Sequence, residues 1–340
     1  MTVSSKQLWF TAPLQAEIQQ HVLPPLAASQ VTVAVTMSAV SAGTELLVFR
    51  GLVPESMKLD ASLGSLGATA GFPLRYGYAS VGRVVACGSD VDPQWMGRRV
   101  FAFEPHASHF NAAVADLKEI PASVTDEAAL FVPNMETAVN LVQDGLPQLG
   151  EQVVVAGAGI VGVLLLQLLQ QFPLAGVHVI EPDADRRARA LRLGAASATD
   201  PADLRGISAL KQQLGERGAD VLFEVSGNPA ALDTLVSLSG FCSRVVVGSW
   251  YGNKPTTIAL GGDAHRNRLQ LITSQVSTIA PALCGRWSKS RRFDLVWELL
   301  GKLQPQQWID ARVPFQQAPT FFHRLCEPGS VLQGIFIYPT

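Results

Sequence analysis

The sequence predicts an α/β protein: a doubly wound parallel sheet, joined to a β-rich domain that the C-terminal part of the chain returns to complete. Three observations carry the prediction. The turn Gly157-Ala158-Gly159-Ile160-Val161-Gly162 stands between an apolar strand-like run and a long apolar helix. Strands and helices alternate after it, the pattern of a parallel sheet covered on both faces. The N-terminal part consists of short β-rich segments cut by Gly and Pro.

The elements follow in order. Up to about Pro121, "VTVAVTMSAV" alternates apolar and polar residues, and "YASVGRVVACG" and "GRRVFAF" are β-rich. From Thr125 the stretch "TDEAALFVPNMETAVNLVQ" opens with a cap-like Thr-Asp-Glu and continues with helical spacing. After the alternating region, "SRRFDLVWELLGKL" reads as a helix, "WIDARVPF" as a strand, "APTFFHRLC" as a helix and "LQGIFIYP" as a strand. The expected division is a β-rich domain over 1–123, a dinucleotide-binding domain over 124–275 and a C-terminal return over 276–340.

Composition narrows the function. A chain of 340 residues, 48% of them hydrophobic, has room for two domains and a large core. Its formal net charge of −2 gives no basic excess for nucleic acid or an anionic membrane, so a small soluble substrate is expected. The run "VVVAGAGIVGVLLLQLLQ" is broken by Gly and Gln and reads as strand plus buried helix, with no membrane span. The N-terminus "MTVSSKQLWFTAPLQ" lacks secretion features, so a cytoplasmic location is expected. Cys87, Cys242, Cys284 and Cys326 form no Cys-x-x-Cys pair and read as four scattered buried thiols.

The glycine turn is the most specific motif. Gly157 permits the tight turn, Gly159 admits a pyrophosphate to the backbone, and Gly162 lets helix and strand pack closely. The N–H groups of Ile160 and Val161 then face the phosphate at the helix start. Glu181, at the end of the next strand, can accept the ribose hydroxyls and would repel a 2′-phosphate, which favours NAD(H). Arg186 and Arg187 follow closely and offer a phosphate pocket, so NADP(H) stays open. "DVLFEVSGNPAAL" and "SRVVVGSWYG" add strands ending at Ser226-Gly227 and Gly248-Ser249, which should border the cofactor crevice.

With these features the chain resembles the medium-chain dehydrogenase/reductase superfamily over essentially its whole length. The resemblance implies a GroES-like β-domain, a Rossmann NAD(P)-binding domain, a nicotinamide bound between them, and a homodimer. Many members hold a catalytic zinc. Where the family has Cys-Gly-Thr-Asp this sequence has Ala42-Gly43-Thr44-Glu45; where it has Gly-His-Glu it has Gly77-Tyr78-Ala79; the third ligand falls near Pro133. Zinc sites use thiolate, imidazole or carboxylate ligands, so no zinc is expected. Glu45, His106 and Glu136 carry suitable atoms in no recognisable ligand spacing. "SAVSAGTELL" and "GFPLRYGYASVGRV" are most similar to the branch containing the bacteriochlorophyllide (hydroxyethyl) dehydrogenases.

Without zinc, the oxygen that gains charge during hydride transfer needs a hydrogen-bond or proton donor. Tyr78, at the family's histidine position, is the first candidate, or else it fills the space a metal would take. Thr44 matches a proton-relaying hydroxyl, or caps a turn. His106 suits an acid or base, or is a hydrogen-bonded bystander. Glu136 can orient a donor or serve a helix start, and Thr137 matches a position that contacts the nicotinamide. Glu45, Trp250 and Tyr251 are candidates for the substrate pocket; the two aromatics also suit a domain interface.

The basic stretches with Arg266, Arg268, Arg286, Arg291 and Arg292 read as a solvated face or an anion attractor. The segment Leu52 to Phe72 is a lid candidate or a partner-facing loop. Three functions compete: a zinc-independent NAD(H)-linked alcohol/carbonyl oxidoreductase, an NADPH-dependent quinone or enone reductase, and a nucleotide-binding redox sensor without turnover.

Overall fold

A computed structural model of the protein describes residues 3–59, 67, 69–327 and 331–339. Residues 60–66 and 68 of the lid candidate lie outside these. The chain forms two units, 1–133 with 297–340, and 134–296, so the boundaries fall inside helices.

The first unit holds the hairpin β1 (Ser4–Ala12) and β2 (Gln15–Val22), then β3 (Gln30–Val40), helix α1 (Ala42–Phe49), β4 (Ser80–Cys87), β5 (Arg99–Ala102), β6 (His109–Ala113) and β7 (Lys118–Glu119). The short helix α2 (Asp126–Ala129) starts at Thr125, whose hydroxyl accepts from the Ala128 N–H at 3.1 Å. Helix α3 (Val132–Gly145) leads into the second unit. The expected single helix is therefore two.

In the second unit β8 (Gln152–Ala156), α4 (Ile160–Leu169), β9 (Gly176–Ile180), α5 (Ala184–Arg192), β10 (Ser197–Thr199), α6 (Leu204–Leu214), β11 (Ala219–Glu224), α7 (Ala231–Leu238), β12 (Ser239–Val247) and β13 (Gln270–Thr273) alternate almost strictly. Their sheet is wholly parallel, in the order β10-β9-β8-β11-β12-β13. The order reverses between β8 and β11, and ligands of such sheets bind at that switch point. Val153, Val154 and Val155 are fully buried, which is why these strands read as continuous apolar runs rather than alternating ones.

Helix α8 (Lys289–Leu303) crosses back, and β14 (Ala311–Pro314), α9 (Ala318–Leu325) and β15 (Gly334–Ile337) complete the first unit. Its larger sheet runs β14-β15-β3-β4-β5-β7, with β6 also on β3. Strand β15 pairs antiparallel with β3, Phe336 opposite Ser38, so the last residues of the chain lie beside the segment that leads into α1. No helix among the described residues is long and apolar enough to cross a membrane. The four cysteines are free, but Cys242 and Cys284 are exposed, which corrects the expectation of four buried thiols.

Candidate active site

The glycine turn divides its tasks by packing. Gly157 has φ +104°, and a Cβ there would lie 2.7 Å from the Ser226 backbone. A Cβ on Gly162 would lie 2.0 Å from the Gly157 carbonyl oxygen. Gly159, by contrast, has φ −68° and open space around it, and no side chain caps α4. The free N–H groups of Ile160 and Val161 at this uncapped start fit a pyrophosphate.

Glu181 is 4% exposed and ties the turn down: one carboxylate oxygen accepts from the Ala158 N–H at 2.7 Å, the other from the Asp183 N–H at 3.0 Å. The Arg187 guanidinium is committed to the carbonyls of Glu181 and Pro182, at 2.8 and 2.6 Å, and to Asp200. The Arg186 backbone N–H is capped by Asp183.

At the end of β11 the fully buried Glu224 accepts from the Ser226 N–H at 2.8 Å, the Ser226 hydroxyl at 2.5 Å and the Tyr251 hydroxyl at 2.6 Å. The Gly227 N–H donates to the Ser249 Oγ at 2.9 Å, and Gly248 packs so closely on Leu141 that a Cβ would lie 2.7 Å away. Ser226-Gly227 and Gly248-Ser249 thus meet at adjoining strand ends. Tyr251 serves this unit: its ring packs on the core formed by α6, α7 and the sheet. Burial, then Glu224, pushes its phenol above the ordinary tyrosine range. Trp250 beside it and Thr137 on α3 are half-buried.

Glu136 is clamped by Lys289 at 2.5 Å and by the Arg292 Nε at 3.1 Å. Arg292 is fully buried and also donates to Asn140 and to the carbonyls of Val276 and Thr278. The solvated-face reading is corrected for Arg292, because a residue on α8 that faces α3 finds there the carboxylate its charge needs. Glu136 belongs to this ion cluster.

In the first unit four candidates come together. Glu45 and His106 are both fully buried, with the His106 Nε2 2.9 Å from Glu45 Oε2. Glu45 Oε1 accepts from the Ser41 N–H at 2.8 Å. Ser38 Oγ lies 2.7 Å from His106 Nδ1 and 2.9 Å from the Tyr338 hydroxyl. The imidazole packs on Phe336 and against Gly77, at φ +122°, where a Cβ would come within 2.8 Å of the ring. The Tyr78 phenol is hydrogen-bonded to the side chains of Ser41 and Thr44. Burial, and then the Glu45 carboxylate, pushes it up to about 12, against the pull of those two hydroxyls.

Sequence reasoning missed Ser38, Ser41, Tyr338 and Glu224. The two serines stood within the very segment under scrutiny, but Tyr338 is 300 residues from Ser38 and left no local signal.

Zinc does not fit these residues. Ala42, Tyr78 and Pro133 offer no ligand, Glu45 and His106 are bonded to each other, and among the described residues no three His, Cys, Asp or Glu side chains converge.

The wholly parallel sheet of one unit and the largely antiparallel sheet of the other are the two parts of the medium-chain alcohol dehydrogenase fold. Comparison with known proteins agrees. The family model of zinc-binding dehydrogenases matches residues 161–298. D-guloside 3-dehydrogenase of Escherichia coli K12 is 27% identical over 330 residues, covering 92% of this chain and 94% of that protein. An alcohol dehydrogenase of E. coli CFT073 solved with NADH has a TM-score of 0.78 at 18% identity, covering 98% and 99% of the two chains. A zinc-binding dehydrogenase of Sinorhizobium meliloti 1021, solved with NADP, has a TM-score of 0.77 at 18% identity, over 98% and 99%. The chain is accordingly similar to the zinc-binding dehydrogenases over residues 161–298, and its named relatives support an NAD(P)-dependent oxidoreductase.

Proposed function

We propose that the protein is a zinc-independent, NAD(H)-linked oxidoreductase that moves hydride between the nicotinamide and an alcohol/carbonyl substrate, with the Tyr78 hydroxyl in place of the metal. One observation carries the reading: where related dehydrogenases place zinc ligands this chain has Ala42, Tyr78 and Pro133, and the Tyr78 phenol is held by the hydroxyls of Ser41 and Thr44. The D-guloside-oxidising relative makes sugar and polyol hydroxyls the first substrate class to test. The likeness to bacteriochlorophyllide dehydrogenases is confined to two motifs and sets no substrate.

NADH, when bound, supplies the hydride. Gly159, Ile160 and Val161 would present backbone N–H groups to its pyrophosphate, and the unused lone pairs of Glu181 would accept from the ribose. Glu181, together with the commitment of Arg187 to backbone carbonyls, favours NAD(H) over NADP(H). Tyr78 donates to the substrate oxygen as negative charge grows on it. Proton transfer runs downhill, because an alkoxide is the conjugate base of an acid about as weak as water, whose pKa is ~15.7, while the phenol lies at about 12. Thr44 and Ser41 then relay a proton from solvent water to the tyrosinate, each hydroxyl giving one proton and taking one up.

Metal analysis of the purified protein beside fluorescence titrations with NADH and NADPH tests the reading. Tight NADH binding without stoichiometric zinc, and loss of carbonyl reduction by about 100-fold or more in Tyr78→Phe, are expected. One zinc per chain, or an unimpaired Tyr78→Phe enzyme, overturns it.

A further inference from the structure

Two strand ends meet at the switch point of the parallel sheet. The glycine turn follows β8 and Ser226-Gly227 follows β11, and the last residues of those strands, Ala156 and Glu224, pair in register. The two loops touch, since a Cβ on Gly157 would lie 2.7 Å from the Ser226 backbone. A dinucleotide seated on the glycine turn therefore has the Ser226-Gly227 loop as its neighbouring wall.

A third segment closes on this wall. After β12 the chain turns at Tyr251-Gly252-Asn253-Lys254, where Gly252 has φ +59° and the Lys254 N–H donates to the Tyr251 carbonyl at 3.2 Å. Both ends of the turn are tied to the end of β11. The Tyr251 hydroxyl donates to Glu224 Oε2 at 2.6 Å, and the Lys254 Nζ donates to the Gly227 carbonyl at 2.8 Å. Glu224 Oε1 in turn accepts from the Ser226 N–H and hydroxyl, so the hydrogen bonds form a closed ring. Lys254 is half-buried, and its ammonium stands at the wall of the crevice instead of swinging free. Of its three N–H groups the Gly227 carbonyl uses one, and that carbonyl carries no net charge. Among the described residues Lys254 forms no ion pair.

We propose that Lys254 is a cofactor-binding residue whose ammonium donates to a pyrophosphate oxygen of the dinucleotide from the β11 side, and that Glu224, acting through Tyr251, is the positioning residue that keeps it there. The proposal rests on the glycine turn being the dinucleotide site, and it adds to that turn a component the backbone lacks. The N–H groups at the start of α4 offer partial charges to a group that carries full negative ones; Lys254 offers a full positive charge. Its place also sets what it can recognise. Glu181, assigned to the ribose, follows β9 on the other side of β8. Lys254 therefore strengthens NADH and NADPH alike and leaves the choice between them to Glu181.

Calorimetric titration of the protein with NADH, NADPH, ADP-ribose and adenosine tests this without turnover. In Lys254→Gln the three pyrophosphate ligands should bind about tenfold more weakly, and NADH affinity should depend less steeply on salt than in wild type. Adenosine, which has no phosphate, should bind within about twofold of wild type, a result that also shows the fold intact. Lys254→Arg keeps the charge and should stay within about threefold for every ligand. Tyr251→Phe removes only the hydroxyl that reaches Glu224 and should lose part of the pyrophosphate-dependent affinity, with adenosine unchanged. A Lys254→Gln protein that binds ADP-ribose as wild type does overturns the proposal. So does one that loses adenosine as much as ADP-ribose, because Lys254 then only braces the loop. Wild-type protein that binds neither NADH nor NADPH removes the cofactor reading and the proposal together, whereas the two preceding results remove the proposal alone.

Discussion

Two alanine substitutions in the glycine turn should separate cofactor binding from stability. At Gly159 the backbone, φ −68° and ψ −175°, suits any residue, and nothing lies within 4 Å of a Cβ built there. Stability therefore changes by less than about 1 kcal/mol, since the lower unfolded-state entropy of alanine and its poorer N-cap character oppose each other. The methyl group, however, occupies the surface over the open start of α4. Loss of two charge-assisted N–H contacts to the pyrophosphate, at about 1.5–3 kcal/mol each, weakens NADH binding by roughly 100-fold or more. At Gly162 the methyl would sit 2.0 Å from the Gly157 carbonyl oxygen, a backbone atom that cannot turn aside. Strand and helix must part, and overpacking of this kind costs about 1–3 kcal/mol or more. Thermal unfolding with and without NADH reads both terms. A Gly159→Ala protein that binds NADH within threefold of wild type, or that melts as early as Gly162→Ala, refutes the assignment of these roles.

Three further outcomes follow from buried charges. Arg292→Met leaves Glu136 with Lys289 alone and strips Asn140, Val276 and Thr278 of a donor; deleting one partner of a buried ion pair costs about 3–5 kcal/mol, which calorimetry reads as a Tm lower by about 10 °C. Glu181→Ser removes both the carboxylate that repels a 2′-phosphate and the tie to the Ala158 N–H, so the ratio of NADPH to NADH affinity should rise more than about tenfold while both bindings weaken. Burial raises the Glu104 carboxyl from 4.5 to about 7, with Arg75 opposing and Asp116 adding to the shift. A folded-state pKa above the unfolded one means stability present at low pH and lost as pH rises through the folded value. The Tm of Glu104→Gln should therefore gain on wild type between about pH 4.5 and pH 7 and hold that gain above it.

Local chemistry made the nucleotide-binding unit legible from sequence. A strand, three glycines at fixed spacing and an apolar helix can fold in few ways, and the reasons for Gly157, Gly159 and Gly162 concern neighbours a few residues away or the next parallel strand. The same holds for the helical start at Thr125 and for Glu181 at the end of β9, since each acts on backbone close to it. Absence of ligand atoms at Ala42, Tyr78 and Pro133 is likewise a property of residue type, readable before any fold is known.

Partners were decided only by tertiary structure. His106 lies between β5 and β6, and the glycine at 77 and the ring of Phe336 make room for it inside the first unit, where both its nitrogens are used. Tyr338 reaches Ser38 because the last strand of the chain pairs with β3, a register that no local pattern specifies. Arg292 turned out to be buried, because a helix that shows a basic stretch in sequence still presents one side to α3 and its carboxylate at Glu136. Periodicity and spacing determine which segments are strands, helices and turns; the charge state and task of a buried side chain depend on what distant segments place beside it, and only the folded chain brings those together.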